Sequence, residues 1–139
     1  MSLELAFPLE FVVDGTAVSL QRKRRASLWQ WQARIREASR IVLPTDYFAS
    51  ADPLAVTLYY FPAATMQGDL DNIVKPILDS LSNYIYIDDH QIQRVLVQKF
   101  EPDNVFTFSS PSATLADALT RPKPTLYVRL SDDPFEDLV

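Results

Sequence analysis

Apolar residues recur along this chain with two different periods, and the order in which those periods alternate restricts the fold more than any other feature. Steps of three and four mark one face of a helix, whereas steps of two, or a short dense run, mark a strand. Leu3 to Val13 is apolar and β-prone, with Pro8 assigning it to a sheet edge or a bulge, and Asp14-Gly15 makes a turn after it. From Ser27 to Leu43 the positions Leu28, Trp31, Ile35, Ala38 and Val42 recur at helical spacing with arginines between them, until Pro44 stops the pattern. Leu54 to Phe61 is a dense strand run ended by Pro62. Leu70, Ile73, Val74, Ile77, Leu78 and Leu81 then share one face of a second helix that ends near Asn83. Ile92, Arg94, Leu96, Gln98 and Phe100 alternate with Val95 and Val97 between them, which reads as another strand. A last strand, Thr125 to Leu130, follows a polar stretch rich in Ser, Thr and Pro.

The resulting order is β-α-β-α-β-β, with Tyr84 to Ile87 as an extra short strand. It predicts an α+β (α/β layer) fold in which two main helices cover a single mixed sheet of four to five strands. At 139 residues the chain fits one domain. That domain is expected over residues 1–130, followed by a tail, 131–139, that carries four acids and is expected to fray. No run approaches the roughly 18 apolar residues of a spanning helix, and the N-terminus lacks the basic and apolar regions of a signal peptide, which places the chain in the cytoplasm with no membrane partner. With no cysteine and the single His90, thiol chemistry and a multi-histidine zinc site are excluded. Any catalytic metal must rest on oxygen ligands.

The net charge of −5, with a pI near 4.7, argues at first against nucleic acid as a partner. The charge is segregated, however. Leu20 to Arg40 holds seven basic residues, Arg22, Lys23, Arg24, Arg25, Arg34, Arg36 and Arg40, against Glu37 alone, giving +6. The remainder, six basic residues against seventeen acidic ones, carries −11.

The most informative stretch is Gly68-Asp-Leu-Asp-Asn-Ile-Val-Lys75, followed after one helix by Ile87-Asp-Asp-His-Gln91. Asp69 and Asp71 stand where a loop hands over to a helix, where a carboxylate can cap the helix or hold a cation. Lys75 is one turn past Asp71 and is expected on the same side. A short return through Asn83 and Tyr84 could bring Asp88-Asp89 beside this group. Three or four carboxylates and a lysine are the inventory for holding one or two Mg²⁺ ions against a phosphate. Taken singly, Asp69 would be an N-cap, Asp71 and Lys75 an exposed ion pair, and Asp88-Asp89 a turn.

Together these two segments resemble the signature of the RusA family of Holliday junction resolvases, whose pattern is Asp-Leu-Asp-Asn-x-x-Lys, a helix, and Asp-Asp-x-Gln. The resemblance is tight over about 30 residues, looser over Asp14 to Gln21 and the basic helix, and absent from 101 to 139. It implies a RusA-like fold and a Mg²⁺-dependent homodimeric endonuclease, Mn²⁺ being an alternative ion, that nicks four-way DNA junctions symmetrically in recombination and repair. Members are largely phage or prophage encoded. By position it makes Asp69, Asp71 and Asp89 metal ligands, Lys75 the essential lysine and Asp88 an accessory carboxylate. Pro76 follows that lysine as in many members, and is expected to kink the helix or to leave Asp71 to Lys75 as a separate turn.

The +6 segment is the natural footprint for phosphates, with Arg22, Lys23, Arg24 and Arg25 at its centre and Arg34 and Arg36 extending it. Trp29 and Trp31, two apart on a helix, cannot both face the core, so one is left for an edge, an interface or a stacking surface. Two other readings remain at this point. One is a non-cleaving module of the same fold that binds branched DNA or a protein partner; the other is a nuclease acting on other branched DNA.

Overall fold

A computed structural model describes residues 3–20 and 24–138. The elements in chain order are β1 (Leu9–Asp14), α1 (Arg25–Ser39), β2 (Leu54–Phe61), α2 (Asp71–Leu81), β3 (Ile92–Lys99), α3 (Ala113–Thr120) and β4 (Thr125–Ser131), with 3-10 turns at Arg40–Val42 and Asp89–Gln91. They form one four-stranded mixed sheet in the order β1-β4-β2-β3. β4 pairs antiparallel with both β1 and β2, while β2 and β3 are parallel. Parallel neighbours cannot be joined by a hairpin, so α2 serves as the crossover between them. The expected α+β class is therefore the observed one. No helix among the described residues is long and apolar enough to cross a membrane.

Alternation along the strands separates two cores. Leu9, Phe11 and Val13 of β1, Leu54, Val56, Leu58 and Tyr60 of β2, and Leu126, Val128 and Leu130 of β4 pack with Trp31 and Ile35 of α1 and Ile73, Ile77 and Leu81 of α2. Each such aliphatic or aromatic side chain, fully buried, contributes roughly 1.5–3 kcal/mol. The opposite face carries Phe61, Phe100 and Tyr127, packed with Leu115 and Ala118 of α3. Phe61 and Phe100 stack with their ring centroids 5.0 Å apart.

Four expectations about the secondary structure of the sheet and its connections are corrected first. A third helix, α3, lies within the polar Ser/Thr/Pro stretch. Its start is fixed by Ser112, whose side chain accepts a hydrogen bond from the Leu115 amide, and its apolar side closes the second core. Tyr84 to Ile87 is no strand; Tyr86 makes only isolated bridges with Ser50 and Ser82. β1 begins at Leu9, immediately after Pro8, rather than at Leu3. Finally, Ile92 and Phe100 point to opposite faces, because Leu54 pairs with Ile92 while Ala55 pairs with Arg94. The extra residue, Gln93, is a bulge that reverses the alternation.

The acidic end, expected as a fraying tail, lies against the second face of the sheet. Both nitrogens of the Arg129 guanidinium fork bond the Glu136 carboxylate, and Arg94 Nη1 donates to the Glu136 carbonyl at 2.7 Å.

Candidate functional site

Helix α2 sets the site by dividing its faces. Ile73, Ile77 and Leu81 are buried, which leaves Asp71, Lys75 and Asp79, spaced by four, as one stripe on the solvent side. The helix runs unbroken through Pro76, so Asp71 to Lys75 is not the separate turn that is one of the two expectations. Lys75 does not pair with Asp71. Its ammonium donates to Asp79 Oδ1 at 2.7 Å and to Asp89 Oδ2 at 3.0 Å. These bonds hold the Lys75 pKa well above the ordinary lysine range, with the Asp79 bond the largest cause, so the group is a permanent cation. Lys75 thereby joins the two halves of the motif.

Asp89 has a second support. The Tyr86 hydroxyl lies 2.9 Å from Asp89 Oδ1 and 3.0 Å from the Leu78 carbonyl oxygen, and the tyrosine is completely buried. Burial first, and then the bond to Asp89, push the Tyr86 hydroxyl above its usual pKa and keep it a donor. Asp88 has different partners. Its carboxylate accepts from the His90 amide and pairs with the His90 ring, closing a capping box with Gln91. The Asp88 pKa is lowered, chiefly by the His90 side-chain bond. Gln91 is buried, and its amide satisfies four backbone groups: it accepts from Ile87 N and Asp88 N and donates to the Ser50 and Asp52 carbonyls. That explains a glutamine two residues after Asp89: it fixes the turn on which Asp89 stands.

Asp69 and Asp71 are exposed, and neither carboxylate makes a hydrogen bond or ion pair among the described residues. Neither caps α2, whose N-cap position, Leu70, has no side-chain bond. Only the Asp69 carbonyl is used, accepting from Asn72 N at 3.2 Å. The two carboxylates at the helix start and the third held by a tyrosine and a lysine are oxygen donors of the type that suits a hard divalent cation. Among the described residues no three such groups stand together closely enough to hold a metal ion. A cleft of about 400 Å³, with Thr16, Ser19, Tyr60, Met66 and Gln67 in its walls, opens beside Asp69.

Of the expected phosphate contacts, Arg22 and Lys23 lie outside the described residues. Arg24 and Arg25 are exposed at the N-terminal end of α1, which has no side-chain cap and no acid in its first turn. Arg34 and Arg36 have structural partners instead. Arg34 Nη1 donates to the Asp14 carbonyl at 3.1 Å, and Arg36 Nε to the Ser80 carbonyl at 2.9 Å. Arg40 pairs with Glu37 on the surface. Sequence reasoning missed Asp79 and Tyr86. The first could have been found as the acid four residues after Lys75; the second had no local signal, because a contact across a chain reversal decides its role.

Residues 15–107 match the family described as endodeoxyribonuclease RusA. Among curated proteins there is no match.

Proposed function

The chain belongs to the RusA endodeoxyribonuclease family, a family of Holliday junction endonucleases, and from that premise we propose a Mg²⁺-dependent homodimer that resolves four-way DNA junctions by symmetric hydrolysis in the cytoplasm. The observation that carries this reading is the 3.0 Å bond from Lys75 to Asp89, which unites the two motif segments at one place on the surface. Asp69 and Asp71, exposed and without a side-chain partner among the described residues, add to it, since a purely structural pair at a helix start would cap or pair.

Asp69, Asp71 and Asp89, which do not stand close enough together to form a closed site, would draw together on the divalent cation, which supplies Lewis-acid activation of a water and of the phosphate when bound. The chain's own groups do the rest. Lys75 provides fixed positive charge against the pentavalent phosphorus, where negative charge develops on the non-bridging oxygens. Asp79 shares the ammonium and aims it, and Tyr86 holds one oxygen of Asp89 so that the other stays beside Lys75. Asp88 supports the turn through its capping box.

DNA affinity rests on Arg24 and Arg25, with Arg22 and Lys23 beside them in sequence. Cations at a helix start oppose the helix dipole and cost local stability, so their presence there favours a phosphate ligand over a structural role. A dimer sets two such ends across a two-fold axis, matching the near two-fold symmetry of a junction.

The test is a labelled four-way junction incubated with the protein in Mg²⁺ and in EDTA. Paired, symmetric nicks are expected in Mg²⁺ only. Asp71→Asn should lower the nicking rate at least a thousandfold while leaving junction binding in place. Absence of nicking by a folded dimer across a range of Mg²⁺ and Mn²⁺ concentrations would refute the proposal, and a panel of forks and flaps identifies a different branched substrate.

A further inference from the structure

Trp29 belongs to neither core among the described residues. It is 62% exposed, whereas Trp31, two residues on, is 4% exposed and belongs to the core. Its position follows from how the two long helices lie. Gln32 Nε2 donates to the Pro76 carbonyl at 3.1 Å, and Arg36 Nε donates to the Ser80 carbonyl at 2.9 Å. Each step of four along α1 matches a step of four along α2, so the helices run side by side in the same direction. Trp29 shares the stripe of Arg25, Gln32 and Arg36, on the side of α1 turned toward α2. Extending the alignment back along both helices sets Trp29 level with Ile73, in the first turn of α2, and Arg25 level with Asp69 in the loop before it. An independent bond agrees with this alignment: the Leu20 amide donates to the Asn72 carbonyl at 2.8 Å, drawing the segment before the arginines to the same turn of α2.

We propose that Trp29 is a stacking platform for an unpaired or unstacked base of branched DNA, seated between the arginines at the start of α1 and the carboxylates at the start of α2. This rests on the nuclease reading above. Aromatic faces accept any base, and a neighbouring guanidinium neutralises the phosphate attached to it. Such a base is available at a branch point and absent from an intact duplex, so the contact would select structure rather than sequence. A second copy of this chain fits the same face poorly. An isologous contact centred on Trp29 would bring the positively charged starts of two α1 helices into one interface, and like charges would repel.

The experiment uses the full chain carrying Asp71→Asn, so that DNA stays intact, with Trp29→Ala or Trp29→Phe added. Binding of a labelled four-way junction and of a linear duplex of equal length is measured by fluorescence anisotropy, and folding is checked by thermal melting. Trp29→Ala should weaken junction binding about tenfold, the loss of one base stack, leaving duplex binding unchanged. Trp29→Phe should restore most of it. Junction DNA should also quench the tryptophan emission of the Asp71→Asn protein, a quench lost in Trp29→Phe, where the buried Trp31 is the only indole left. Equal junction affinity with and without Trp29→Ala overturns the inference alone. So does a change in assembly mass by light scattering with affinity per dimer unaltered, which assigns the residue to a subunit contact. No junction binding by the wild-type chain overturns the nuclease reading and this inference with it.

Discussion

Replacing Tyr86 by phenylalanine tests whether the site is held from inside the fold. The ring is fully buried and its packing is kept, so the change removes one oxygen and one proton. That single proton lies between the Leu78 carbonyl at 3.0 Å and Asp89 Oδ1 at 2.9 Å, and the charged oxygen is the stronger acceptor. A hydrogen bond to a charged group contributes about 1.5–3 kcal/mol. Asp89 keeps its bond to Lys75 and its side chain is 34% exposed, so water takes over part of the loss. A destabilisation of about 1–2 kcal/mol is expected, hence a fall in Tm of roughly 3–8 °C for a domain of this size. The carboxylate also loses its aim, and an orienting partner of a metal ligand typically accounts for about 10–100-fold in activity. Circular-dichroism melting and junction nicking on the same preparations measure both. Burial raises the Tyr86 pKa above its ordinary 10.0, so the hydroxyl's stabilisation is complete below pH 10 and lost only at higher pH. The difference in Tm between the two proteins should therefore be constant from neutral pH to pH 9. Unchanged melting and nicking in Tyr86→Phe would refute the reasoning, and unchanged nicking with a lower Tm would leave Tyr86 a structural residue only.

Glu136→Gln should lower stability by about 1–2 kcal/mol at pH 7, because Glu136 holds the Arg129 guanidinium through two bonds in a partly buried setting. The Arg129 bond depresses the Glu136 pKa, so its contribution is present above the unfolded value near 4.5 and is lost as pH falls through the folded one. The gap between wild type and variant in urea midpoints should accordingly close below about pH 4.5, and a gap that persists at pH 2 would contradict the assignment. Gly15→Ala should cost about 1–3 kcal/mol, since φ is +138° and an added Cβ would meet Arg34 Nη1 at 2.7 Å; a melting temperature equal to wild type would disprove that.

Where a residue's role was set by its neighbours in sequence, it could be read directly. The bounds of β2 are those of the dense apolar run, and α2 follows from its apolar offsets to within a residue. The partner of Lys75 was different in kind. Asp71 and Asp79 are both four residues away, and in an isolated helix an acid placed N-terminal to the lysine is the better partner, which favours Asp71. The choice falls to Asp79 because the chain returns after the helix and brings Asp89 to that side of the lysine. Nothing local records this. α3 was hidden for another reason: Ser109 to Ser112 and the prolines gave a loop-like composition, although Ser112 followed by Leu115, Ala118 and Leu119 is a cap and an apolar stripe.

Pro76 shows how a local defect becomes a long-range tie. A proline inside a helix has no amide hydrogen, so the carbonyl four residues earlier, that of Asn72, loses its helical donor. Left unpaired, a buried carbonyl costs about 1–3 kcal/mol, a penalty that kinking can avoid by opening the group to water. Here the Leu20 amide occupies it at 2.8 Å and the helix stays continuous. Leu20 ends the segment leading from Gly15 into the basic run, and that segment is pinned along its length: Gly15 N donates to the Pro124 carbonyl, and Ala17 N to the Tyr60 hydroxyl. The first turn of α2 and the segment that ends at Leu20, about fifty residues apart in sequence, are therefore tied through the one carbonyl that the proline leaves free. The residue that sequence reasoning treats as a helix breaker is, on this geometry, the one that frees the carbonyl by which the segment ending at Leu20 is fastened to α2.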